Sequence, residues 1–189
     1  MKKKLVSVLL ITFIAFSISA QEKIAKRTYL YGDLKNAVNG KTLVGYGFND
    51  PEGLQKILEI FKKDNFDVVP WNKYFMPGQK YSETEMIDKI NSENIKTIIF
   101  IKSDGISSRT NNSMSSSYNS FTNSVDSYGS NSTTVTEVRL LFEFYYENFD
   151  KPVAVIKSHT DIWHDVAASQ RGLSLKITKR VVKAIVKYN

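Results

Sequence analysis

Two hydrophobic periods organise this chain. Leu54, Ile57, Leu58 and Phe61 recur at helical spacing, with Asp50-Pro51-Glu52 ahead of them. An aspartate caps a first turn, a proline fits inside it, and a glutamate suits the positive end of the dipole, so a helix opens at residue 51. A second helix is predicted over 82–94, with Met86, Ile87 and Ile90 inward. Residues 41–48 (KTLVGYGF) and 66–71 (FDVVPW) read as strands, the latter at an end or an edge because Pro70 has no N–H for a ladder. Residues 97–101 (TIIFI) are apolar throughout, the mark of a central strand covered on both faces. Residues 21–40 are polar, carry no predicted element, and end in the turn dipeptide Asn39-Gly40.

Over 134–146 the period is two. Thr136, Val138, Leu140, Phe142, Phe144 and Tyr146 share a dry face, while Val135, Glu137, Arg139, Leu141, Glu143 and Tyr145 make a mixed one. Residues 153–158 (VAVIKS) pair back on this strand as a hairpin. In the closing helix, Leu173, Ile177, Val181, Ala184, Ile185 and Tyr188 share an apolar arc that Leu175, Val182 and Val186 widen. Lys176, Lys179, Arg180, Lys183 and Lys187 lie opposite.

The expected fold class is therefore α/β. A parallel β-α-β-α-β core with right-handed crossovers carries an added antiparallel hairpin and a C-terminal amphipathic helix. One domain over 21–189 holds all of it. Residues 103–133 break the pattern, with 12 serines and 5 asparagines among 31 residues. Such a composition buries too little to offset its ordering entropy, which predicts a mobile loop or an extended, poorly ordered hairpin.

The first 20 residues read as a secretory signal peptide: Lys2-Lys3-Lys4, an apolar stretch, then small residues up to Ala20. The apolar stretch at 5–20 is 16 residues, against about 20 for a membrane span. No cysteine follows it, so lipid attachment at a new N-terminus is not expected. The absence of cysteine from all 189 residues also removes disulfide frameworks and thiol nucleophiles. A net charge of +7 would point towards nucleic acid, but taking away the three leader lysines leaves +4, and an exported protein seldom meets nucleic acid.

Candidate chemistry is sparse. His159, Asp161, His164 and Asp165 are ligand types, yet neither a helix nor a strand gathers both histidines; a metal-assisted hydrolase built on 159–165 is the alternative to a binding protein. Gly45-Tyr46-Gly47 lacks the third glycine of a dinucleotide loop, since Asp50 stands in that place and would repel a pyrophosphate. No cofactor is expected. Ligands of open α/β sheets sit beyond the carboxyl ends of parallel strands, which singles out Asp50, Trp71, Tyr74, Phe75 and Asp104 as a candidate contact surface. The plainer account is that Asp50 caps a helix and the aromatics lid the core. Lys176, Lys179, Arg180, Lys183 and Lys187 are a candidate contact for an anionic surface, or else a solvated face.

The order of elements over 41–188 resembles small α/β domains of Gram-negative envelope proteins, such as the TolB N-terminal domain and the CsgG-like secretion lipoproteins. The resemblance rests on a helix running into Phe66-Asp67-Val68-Val69, a second helix leading to 97–101, and a long hairpin before a closing helix. The chain departs from the lipoproteins in lacking a lipidated cysteine, and from CsgG-like proteins in lacking an identified pore-forming segment. The resemblance implies an exported envelope protein that works through contacts with other envelope proteins, without catalysis. It assigns no site residues.

Overall fold

The structure, a computed structural model, describes residues 21–35, 37–119, 124–146, 149–162 and 170–188, with backbone alone at 108–119, 124–136, 161, 162 and 170. Seven strands form one mixed sheet: β1 (Glu22–Ala25), β2 (Thr28–Gly32), β3 (Lys41–Tyr46), β4 (Val68–Pro70), β5 (Ile95–Asn119), β6 (Ser124–Tyr146) and β7 (Ala154–Ile162). Their spatial order is β1-β2-β7-β6-β5-β3-β4. Among the described residues three helices accompany them, α1 (Pro51–Lys63), α2 (Glu83–Ser92) and α3 (Gln170–Tyr188), with a 3₁₀ turn at Trp71–Lys73.

The parallel core is as expected: β3 pairs in parallel with both β4 and β5. The antiparallel half is larger than expected. β1 and β2 form a hairpin across Lys26-Arg27, and β2 then pairs with β7. These two strands lie in the stretch for which no element was predicted. Thr28 and Leu30 are buried and alternate with half-buried Tyr29 and Tyr31, a period too short to stand out in a polar stretch.

Residues 103–133 were expected as a mobile loop or an extended, poorly ordered hairpin, and the structure has the extended hairpin in place of the loop. β5 and β6 continue through them as one antiparallel ladder, from Thr97↔Tyr146 out to Asn119↔Ser124. β5 pairs with β3 as far as Ile101, opposite Tyr46, and β6 pairs with β7 as far as Thr136, opposite Ile162. Beyond them the two strands pair with each other alone among the described residues. The eleven pairs from Arg109↔Val135 outward make a ribbon about 35 Å long. Composition left a loop open beside a poorly ordered hairpin because serine and asparagine bury little. The ladder forms because the sheet has already aligned both strands, so each further pair extends an existing register and closes no new loop. Register shifts at Ser103/Gly105 and Met114/Ser115 mark bulges along it.

One face of the sheet carries α1 and α3 over the main core. Phe61, Ile99, Ile101, Leu140, Phe142, Phe144, Ile156, Ile177, Val181 and Ile185 belong to it. β5 is covered on both sides, as its sequence requires, because Ile98 faces a second, smaller core under α2 with Leu43, Phe75, Ile90 and Ile95. α1 begins where expected: the Asp50 carboxylate accepts from the Gly53 N–H at 3.0 Å. α2 opens on a full capping box between Ser82 and Glu85. Ile87 was expected inward on α2 but lies 39% exposed, because this helix buries a single line, Ile90 and part of Met86. Val186, read as widening the apolar arc of α3, is 51% exposed; buried Ser174 and Thr178 sit on the inner face, the Thr178 hydroxyl donating to the Ser174 carbonyl at 2.8 Å.

Candidate functional site

Trp71, Tyr74 and Phe75 follow β4 directly, and the 3₁₀ turn folds them back over the second core. Gly45 makes this possible. A Cβ there would collide with the Phe100 ring, so the missing side chain is what lets Phe100 lie against β3. Trp71 then packs on Phe75 at 4.4 Å and on Phe100 at 4.9 Å between ring centroids. Phe100 meets Tyr145 edge-on, and Phe75 meets Tyr81 likewise. Phe75 is 3% exposed, Trp71 and Tyr74 half-buried. The aromatics act as the lid of a core.

Tyr74 is also the centre of a polar corner. Its hydroxyl donates to Glu93 at 2.9 Å, and Lys41 reaches the same carboxylate oxygen at 3.1 Å. Lys89 reaches the other oxygen at 3.3 Å. These three donors, Tyr74 first and then Lys41, hold the Glu93 carboxyl down at about 2. The same two partners, Tyr74 and Glu93, raise Lys41. The ammonium groups of Lys41, Lys73 and Lys89 all stand 5.2–5.5 Å from the Tyr74 ring centroid. Lys41 donates as well to the Glu93 carbonyl, at the C-terminal end of α2, where a cation suits the helix dipole.

Asp50 is more than a cap. Arg171, at the start of α3, grips its carboxylate with two hydrogen bonds of 2.8 and 2.7 Å and reaches Glu52 at 2.6 Å. The guanidinium, and after it the Gly53 N–H, hold the Asp50 carboxyl below its ordinary value. This fork fastens the first turn of α1 to the first turn of α3. Sequence reading had no signal for it, since the partners are 121 residues apart. Asp104 sits in the bulge at Ser103/Gly105, and its carboxylate lies 4.0 Å from the Lys157 ammonium. β5 does not end there but runs on past the carboxyl end of β3, where the Gly47 N–H donates to the Ile101 carbonyl at 2.9 Å.

His159 is a strand residue on β7, stacked on Tyr29 with ring centroids 6.4 Å apart. Asp161 is two positions further along β7, while His164 and Asp165 lie outside the described residues. No group of three or more His, Cys, Asp or Glu side chains that could hold a metal ion occurs among the described residues. Arg180 was counted in the basic stripe of the last helix, but it turns inward: it is half-buried and donates to the His159 carbonyl at 2.9 Å. Burial, and after it Arg27, lowers its pKa. Lys176, Lys179, Lys183 and Lys187 remain exposed.

No protein-family model matches the sequence, and no curated protein does. Among solved structures, two of the PelC dodecamer from Paraburkholderia phytofirmans are similar, each at TM-score 0.47, with 10% and 8% identity, covering 86% and 84% of this chain and 98% and 95% of that one. A minor lipoprotein from Acinetobacter baumannii is similar at TM-score 0.33 and 6% identity, over 78% of this chain and 87% of that one. At such identities and TM-scores the likeness is one of fold outline, and neither activity nor partner passes from those proteins to this chain. Among the described residues no helix is long and apolar enough to cross a membrane.

Proposed function

We propose that this chain is an exported component of a cell envelope that works by binding another protein, and that the β5–β6 ribbon is its contact element. The observation that supports the reading is that, among the described residues, neither edge of that ribbon is paired with another strand. An isolated two-stranded hairpin is marginal in water, and its unpaired N–H and C=O groups invite a further strand. Proteins that must keep such edges single guard them with charge or proline. Residues 105–135 contain no proline and two charged residues, Arg109 and Asp126. An extended segment of a partner would complete either edge by main-chain hydrogen bonds.

The test removes the ribbon and leaves the sheet. Ser108 and Thr136 face each other in the ladder, so an Asn-Gly turn replacing 109–135 closes the shortened hairpin. The shortened chain is expected to melt cooperatively near the parent's midpoint. In cells treated with a cross-linker, the parent is expected to give a discrete protein adduct and the shortened chain none. Identical adducts from both chains, or no adduct from the parent, would refute the proposal.

A further inference from the structure

We infer that the outer face of α3 docks on an anionic lipid surface. This rests on the charge of one helix and not on the ribbon. α3 contains six basic residues, Arg171, Lys176, Lys179, Arg180, Lys183 and Lys187, and no acidic one. The rest of the chain beyond residue 20 has 17 basic against 19 acidic residues, so the whole positive excess sits on this helix. Two of the six are engaged: Arg171 by Asp50 and Glu52, Arg180 by the His159 carbonyl.

Among the described residues the other four, Lys176, Lys179, Lys183 and Lys187, have no acidic partner; Lys35, Lys80, Lys96 and Lys151 lack one too but are scattered over separate segments, whereas these four share one helix face. The exposed positions of α3 are Gly172, Lys176, Lys179, Lys183, Val186 and Lys187. At 1.5 Å per residue the four ammonium groups line up along about 16 Å of the helix. The other helices mix signs on their outer faces: α1 exposes Glu52 and Glu59 beside its lysines, and α2 exposes Glu83, Glu85 and Asp88.

The row lies on the outside of the helix layer, since α1 packs beside α3 and both cover one sheet face. A plane of headgroups can approach it along its whole length. The apolar side of α3 is spent on the sheet, so nothing but Val186 is left to insert. The contact is therefore electrostatic and peripheral, and salt dissolves it. Each lysine near an anionic bilayer contributes about fivefold in affinity.

The measurement is co-sedimentation of the full chain with phosphatidylcholine–phosphatidylglycerol vesicles, beside pure phosphatidylcholine vesicles and soluble polyglutamate. The parent is expected to bind the phosphatidylglycerol vesicles alone and to leave them at high salt. Replacing Lys176, Lys179, Lys183 and Lys187 by Gln is expected to weaken this at least tenfold, and replacing the same four by Arg to keep it. The arginine variant holds the inference open to test even where the glutamine variant folds poorly. Lys35, Lys80, Lys96 and Lys151, all exposed elsewhere, replaced together by Gln remove the same charge and are expected to leave binding intact. All variants share one N-terminus, so residues 1–20 contribute equally throughout. Equal loss in that control, loss in the arginine variant, unchanged binding by the glutamine variant, binding to pure phosphatidylcholine, or binding to polyglutamate alone would each overturn the inference.

Discussion

Phe142 is the position at which the sheet is most exposed to test. It lies mid-strand in β6, opposite Ile101 of β5 and Ile156 of β7, and all three are fully buried. Its ring belongs to the core shared with Ile177, Val181 and Ile185 of α3. Phe142→Ala removes the transfer free energy of a buried ring, about 2–3 kcal/mol. The space left behind cannot close, because ladders on both sides hold β6 in place, and the cavity raises the total to about 3–5 kcal/mol. In a domain of this size each kcal/mol shifts the midpoint by about 2–4 °C. A drop of roughly 6–20 °C is expected in a thermal melt followed by circular dichroism. The neighbour supplies the reference. Glu143 points to the opposite face, where its carboxylate accepts from Lys102 at 2.6 Å and from the Tyr145 hydroxyl at 3.0 Å. Losing those two partly solvated bonds in Glu143→Ala costs about 0.5–1.5 kcal/mol, more than an ordinary surface change and well short of the phenylalanine. Equal losses at the two positions, or the reverse order, would refute the inward face assigned to β6.

Two further outcomes follow from the second core and its polar corner. The Glu93 carboxyl titrates at about 2 in the folded chain against an ordinary 4.5, so its stabilisation is fully present above pH 4.5 and lost as pH falls through 2. Melts of the parent and Glu93→Gln should differ most above that window and converge within it; a pH-independent difference would show that the corner does not hold the charge. Gly45→Ala should push the Phe100 ring away from β3 and disturb the Trp71 stack, read as a shift in tryptophan emission with a lower melting midpoint. Unchanged emission would mean that the close approach of ring and backbone is misassigned.

Much of this was legible in the chain itself. The helix at α1 was announced by Asp50-Pro51-Glu52 and its apolar spacing, the doubly covered strand by TIIFI, and the inward face of β6 by strict alternation through Phe142 and Phe144. These are local signals, carried within a turn or two of chain. The aromatic cluster was legible as composition, three rings within five residues; that Phe75 is buried in the second core while Trp71 and Tyr74 stay half-buried was not. His159 read as a ligand type, yet its neighbours in space, Tyr29 and the Arg180 guanidinium, come from the adjacent strand β2, near the other end of the chain, and from the last helix.

By itself the sequence determined the class of fold, the parallel core, the start of the first helix and most of the apolar side of the last one, because period and capping depend on residues close in the chain. Tertiary structure decided three things. It joined Arg171 to Asp50, it sorted the basic stripe into one inward arginine and four outward lysines, and it carried a serine-rich stretch into a two-stranded ribbon. The first two depend on packing across more than a hundred residues or on which side of a helix meets a strand. The third depends on an alignment that the sheet supplies from outside the segment, which composition within the segment cannot express.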